Sequence, residues 1–144
     1  MKINDLVYGE EDVKEPVLID LIKSKPLQRL KGLAQSGIPD EYYHKKNFSR
    51  YDHSIGVMIL LSRLGSCLEE RVSGLLHDVS HTAFSHVIDL LLGDPTKEDY
   101  QDNNHLSIIE NSEVKDILNN YCYDYKKIAN IDNFSLLERE IPSL

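Results

Sequence analysis

A glycine placed midway between two helical patterns constrains this chain more than any other feature. The run HSIGVMILLSRL, entered from about Tyr51, keeps Ile55, Met58, Ile59 and Leu61 or Leu64 on one face and stops at Gly65, a residue suited to the left-handed close of a helix. Ser66-Cys67-Leu68-Glu69 then has the form of a capping box and opens a second helix, EERVSGLLHD. Helix, tight turn, helix folds back on itself as an antiparallel hairpin. His53 lies twelve residues before Gly65 and His77 twelve after it. At about 1.5 Å per residue each arm climbs roughly 18 Å, so the two imidazoles are expected level with one another at the far end. Asp78 follows at once, near a helix end where adjacent side chains can converge. Imidazole and carboxylate together suit a first-row divalent metal. His77 and His81, four apart, are expected on one helical face, with Ser85, His86 and Asp89 continuing the polar cluster.

Punctuation elsewhere is also helical. Pro16 and Pro26 suit first-turn positions, and PLQRLKGLAQ carries apolar residues at helical spacing before Gly37. Further helices are expected over AFSHVIDLLL, which ends at Gly93, and over HLSIIE, SEVKDIL and SLLEREI. No convincing period-two strand is present, although Tyr121, Tyr123 and Tyr125 alternate briefly. With 144 residues and no linker or repeat, we expect residues 1–144 to form a single all-α domain, a helical bundle.

Charge and cysteine content exclude several classes. A formal net charge of -8 opposes general nucleic-acid binding, whereas a small anionic substrate would need only a local basic patch. Cys67 and Cys122 form neither a CxxC pair nor a disulfide framework, which fits a reducing cytoplasm. The acidic start MKINDLVYGEEDVKEP is unlike a signal peptide, and no apolar run reaches membrane-spanning length. A phosphate-cradling GxxxxGK[ST] loop and a GxGxxG turn are both missing. A Ser-His-Asp triad can be assembled on paper from Ser80 or Ser85, but without a nucleophile elbow.

A His-Asp dipeptide by itself proves little, because histidines are more often solvated or hydrogen-bonded core residues than ligands. The concentration of histidine and aspartate in RYDHSIGV and GLLHDVSHTAFSHVID carries more weight. Those segments resemble the HD-domain metal-dependent phosphohydrolases, and especially the branch containing dNTP triphosphohydrolases. The resemblance begins near PLQRLKGLAQSG and runs to about His105, roughly two-thirds of the chain. It implies an HD-type bundle in which His53, His77 and Asp78 bind one or two divalent metal ions, with Mn, Mg, Fe, Ni, Co and Zn all candidates. It further implies a catalytic cluster of His81, Asp89 and His105 for proton transfer and orientation. His86, within AFSH, is expected in a structural hydrogen bond. The branch has a fourth ligand, an aspartate in an Asp-Tyr-containing helix, which this sequence does not supply by motif. Asp116, Asp124 and Asp132 stand in other contexts, so the chain is expected to be the front part of a longer enzyme, incomplete at its C-terminus.

The expected chemistry is attack of an activated water on a phosphate ester, of a nucleotide or a related small molecule, deoxynucleoside triphosphates included. Lys45, Lys46 and Arg50 make a basic island beside His53, with Arg50 and Lys46 as candidate phosphate ligands and a solvated loop as the alternative for the lysines. The branch also implies self-association into a homo-oligomer. Rival readings are a binding or regulatory module that keeps a partial metal site, a di-iron redox centre, and a structural zinc on His77 and His81.

Overall fold

A computed structural model of the chain describes residues 1–35, 48–82 and 100–137, with the side chains of 100–103 left aside. The helix ending at Gly93, Gly37, Lys45, Lys46, Ser85, His86 and Asp89 lie outside the described residues.

The chain opens with a β-hairpin, β1 (Lys2–Asp5) antiparallel to β2 (Gly9–Asp12), with Lys2 opposite Asp12 and Asp5 opposite Gly9. The all-α expectation holds in outline: the described residues are mostly helical and add one small two-stranded sheet. KIND and GEED are too short and too polar to show a period of two. The turn chemistry builds the hairpin instead. The Asp5 carboxylate accepts from the backbone N–H groups of Val7 and Tyr8, at 2.8 and 2.7 Å, and Gly9 takes a positive φ of 79° that a side chain would oppose.

Helix α1 (Pro16–Lys23) begins on proline, as expected, and buries Val17, Leu18, Leu21 and Ile22. Helix α2 (Lys25–Arg29) passes into a 3-10 turn over Leu30–Gly32, shorter than the expected run to Gly37. Helix α3 (Arg50–Arg63) and helix α4 (Leu68–Leu76) form the expected hairpin about Gly65, whose φ is 78°. The capping box, however, sits at the other end of it. Ser49 accepts from the Asp52 backbone N–H, and the Asp52 carboxylate accepts from the Ser49 backbone N–H. At α4 the cap is Cys67, with no side-chain bond, and Glu69 and Glu70 in the first turn supply the favourable negative charge. Among the described residues three more helices follow, α5 (Tyr100–Glu110), α6 (Glu113–Asn120) and α7 (Tyr125–Ala129), and then a 3-10 turn at Ile131–Asn133. The tyrosine alternation is no strand: Tyr121 closes α6, Cys122 turns with φ 61°, and Tyr125 starts α7. Residues 135–137 of the expected SLLEREI helix form a turn, and the rest lie outside the described residues.

A continuous apolar core links these pieces, with Leu21, Leu27, Ile55, Leu75, Ile109 and Leu118 fully buried. Polar side chains pin its edges. Buried Glu70 accepts from the Leu136 backbone N–H at 2.6 Å, and the Ser73 hydroxyl donates to the Ile128 carbonyl at 2.8 Å. Tight contact between α3 and α4 depends on Gly74. A Cβ there would lie 2.3 Å from Leu61 Cδ1 and 3.2 Å from Val57 Cγ1. Leu61 is itself buried, so it has little room to yield. Gly74→Ala is therefore expected to destabilise the fold by roughly 1–3 kcal/mol, seen as a lower urea midpoint at unchanged slope. A midpoint equal to wild type would mean the helices separate at no cost.

Candidate metal centre

The helical hairpin delivers what the spacing of its histidines requires. His53, one turn into α3, and His77, immediately after α4, approach with Nε2 atoms 3.2 Å apart and ring centroids 5.0 Å apart in an edge-on arrangement. The Nδ1 of His77 lies 2.7 Å from the Gly74 carbonyl. A carbonyl only accepts, so Nδ1 carries the proton and donates, and Nε2 presents its lone pair to the centre. The same glycine that lets α3 and α4 approach thus selects the imidazole tautomer needed for a ligand.

Asp78 completes the group. It is buried, with Oδ1 3.4 Å from His77 Nε2 and Oδ2 4.0 Å from His53 Nε2. One donor atom from each of His53, His77 and Asp78 fits within a mutual separation of 4.8 Å. Donors bound at about 2.1 Å to one ion stand about 3.0 Å apart at right angles and about 3.4 Å apart in a tetrahedron. The 3.2 and 3.4 Å separations about His77 match that requirement, the 4.0 Å between His53 and Asp78 is wider, and two imidazoles with a carboxylate suit a divalent ion as a donor set.

Two further groups converge on Asp78. Arg50 was expected as an open phosphate clamp, but the structure places it differently: it is buried, and its Nη1 donates to Asp78 Oδ2 at 2.7 Å. The guanidinium is occupied in holding the carboxylate. His81 also reaches Asp78, with Nε2 3.1 Å from Oδ1. It does so through a turn, since α4 ends at Leu76 and the His81 N–H bonds to the Asp78 carbonyl; His77 and His81 therefore do not share a helical face. Burial pushes the Asp78 carboxyl up, but the His81 hydrogen bond and the charges of His77, His81 and Arg50 outweigh it. The carboxyl is held well below the usual carboxylate range.

Beyond this group lies a cleft of about 560 Å³, lined on one wall by His77, Asp78, His81 and His105 and on the other by the segment from Ala129 to Asp132. That volume suits a small molecule. His105, on α5, is buried and lines the same cleft, with Nδ1 3.3 Å from the Ser80 hydroxyl. Of the aspartates that could stand in for a fourth ligand, Asp124 caps α7 by accepting from the Lys126 N–H, and Asp116 sits in the first turn of α6. Asp132 lines the cleft but is not among the three converging residues that could hold a metal ion. Sequence reasoning missed Ser80 as a partner of His105, and it missed Arg29, whose Nη2 donates to the carbonyls of Val79 and His81 at 2.8 and 3.0 Å. Neither has a local signal, because each contact spans at least 25 residues.

Burial lowers His105 to about 4, helped by the charge of His77, and burial likewise lowers His53. Both bases bind a proton more weakly folded than unfolded, where an imidazole titrates near 6.5. Stability of the metal-free protein is therefore fully present above that value and is lost as pH falls below it. For His105, the loss between pH 7 and pH 5 is on the order of 2 kcal/mol. Urea midpoints of chelated protein should fall across that interval, and should fall less in His105→Gln. An equal fall in both would show that His105 does not carry the effect.

Comparison with known proteins agrees with this geometry. The HD domain family model matches residues 50–135. The chain is 46% identical, over its whole length, to the uncharacterized protein YdhJ of Bacillus subtilis (strain 168), and covers 44% of that protein. It is 37% identical, over 99% of its length, to the metal-dependent phosphohydrolase cns2 of Cordyceps militaris, of which it covers 41%. The deoxynucleoside triphosphate triphosphohydrolase SAMHD1 of Xenopus laevis is 31% identical over 62% of this chain, which covers 16% of that relative. The chain thus spans less than half the length of these curated relatives. The family match opens at Arg50, the first residue of α3, and takes in the converging histidines, the His-Asp pair and the far wall of the cleft; this chain belongs to the HD-domain family.

Proposed function

We propose that this chain carries a metal-dependent phosphohydrolase centre that cleaves a phosphate ester of a small molecule, with nucleotides the first class to test. One observation carries the reading: the lone pair of His77 Nε2, fixed by the Gly74 carbonyl, meets His53 Nε2 and Asp78 Oδ1 at separations a divalent ion bridges. When bound, such an ion supplies a Lewis acid for the phosphoryl oxygens and a water acidic enough to act as nucleophile at neutral pH.

The remaining work falls to side chains. His53, His77 and Asp78 hold the ion, and Arg50 keeps the Asp78 carboxylate ionised and oriented from the buried side. His81 holds the other oxygen of Asp78 and lines the cleft, and the proton-transfer role is the one the family resemblance implies for it. His105, neutral through burial, offers a hydrogen bond to the substrate rather than a second cation. Asp89 keeps the role the family resemblance implies, orienting a histidine, and Lys46, in the basic island of the sequence beside His53, keeps that of a phosphate ligand. The Ala129 to Asp132 wall faces the group to which the phosphate is esterified. Its mixture of an aliphatic face with Asn130 and Asp132 suits a ring bearing hydroxyl or amino groups, as nucleosides do. The SAMHD1 relatives are named as deoxynucleoside triphosphate triphosphohydrolases, which supports starting the screen with nucleotides.

The test is metal content and hydrolysis measured together. Purified without chelators, the chain should hold near-stoichiometric divalent metal by mass spectrometry, and Asp78→Ala should lose it along with phosphate release from a nucleotide panel. The hydrolysis rate should also decline as pH is lowered, because only neutral imidazoles bind the ion. Since burial lowers His53, the decline should set in below pH 6.5 rather than at it. A metal-free wild type that stays metal-free after divalent ions are added would sink this reading and leave a binding module in its place.

A further inference from the structure

Ser80 has no part in the HD motif, yet it occupies a built position. It lies in the turn that follows the His-Asp pair, it is buried, and its hydroxyl stands 3.3 Å from Nδ1 of His105. The turn is braced from outside. Arg29 on α2 donates from one guanidinium nitrogen to the carbonyl before Ser80 and to the carbonyl after it, at 2.8 and 3.0 Å. Inside the turn, the Val79 N–H bonds to the Leu76 carbonyl and the His81 N–H to the Asp78 carbonyl. The backbone that carries Ser80 is thereby held on both sides. His105 lines the cleft, and among the described residues its Nε2 makes no hydrogen bond.

We propose that Ser80 is a positioning residue: its hydroxyl donates to Nδ1 of His105 and holds the proton of that imidazole on Nε2, which faces the cleft as a hydrogen-bond donor to an anionic oxygen of the substrate. A serine hydroxyl can donate or accept, so the direction is the substance of the claim. With Ser80 accepting, Nδ1 would carry the proton and Nε2 would turn a lone pair toward the cleft, repelling phosphoryl oxygens. With Ser80 donating, the cleft gains a fixed N–H dipole where negative charge develops, with no proton to move first. The choice of direction rests on the phosphohydrolase reading; the contact between Ser80 and His105 does not. Arg29 contributes by holding the backbone on which the hydroxyl is presented.

Nitrogen chemical shifts of the imidazoles separate these cases without any assay of activity. The full chain would be labelled with 15N-histidine, treated with EDTA and recorded at pH 7, with His105 assigned by its loss in His105→Gln. The proposal expects a neutral ring protonated on Nε2, whose Nδ1 resonance shifts by several ppm in Ser80→Ala and returns toward wild type in Ser80→Thr. It is overturned if the wild-type proton resides on Nδ1, or if Ser80→Ala leaves both His105 resonances where they were. In hydrolysis with added Mn2+, Ser80→Ala should lower kcat by about tenfold or more with KM nearly unchanged, and Ser80→Thr should restore it. If the nitrogen shifts behave as expected and the wild type hydrolyses nothing, the hydrolase reading fails while the Ser80–His105 link stands.

Discussion

Contact between α3 and α4 at Gly74 does two things at once. The missing side chain lets Leu61 and Val57 pack where a Cβ would collide, which sets how closely the helices approach and so how near His53 comes to His77. The carbonyl of the same residue, left without an intrahelical partner near the helix end, accepts the Nδ1–H of His77 and turns the Nε2 lone pair inward. Packing and the tautomer of His77 are coupled through one backbone position. A helix pair held a turn further apart would leave two solvated histidines and no centre.

The second constraint is electrostatic. Asp78 is buried, and an isolated carboxylate there would protonate rather than remain charged. Arg50 from the start of α3 and His81 from the turn beyond Asp78 take one oxygen each, and the carboxylate stays ionised. Such a network is costly to break, because removing one partner leaves a buried charge uncompensated. It also explains why Arg50 does not stand in the open as a phosphate ligand. A guanidinium three residues before His53 can turn either way along the helix, and here it pairs with the buried carboxylate.

Much of this centre was legible in the sequence. Equal spacing of His53 and His77 about Gly65 is a statement about helix rise, which depends little on context, and their convergence followed from it. Proline at the first turn of α1 and serine at the cap of α6 were equally local signals. Other signals misled because two local readings competed. Ser66 to Glu69 fits a capping box as a string, but the cap of α4 falls one residue later, at Cys67, while Ser49 and Asp52 make a capping box at the start of α3. Asp52 beside His53 is consequently a cap and takes no place in the cluster. The hairpin at the N-terminus left no periodic trace, because four-residue strands held by an Asp5 turn and a glycine need no apolar alternation.

The sequence by itself determined the helical hairpin and the level at which His53 and His77 meet beside Asp78, since these follow from residue spacing along one continuous stretch of chain. Only the tertiary structure decided the direction in which Arg50 points, the turn that swings His81 back onto Asp78, the bracing of that turn by Arg29 and the meeting of Ser80 with His105. Each of these joins groups through the packing of separate elements or through the breaking of a helix. The energy that selects them lies in burying and satisfying charges, a property of the assembled interior that no local pattern records.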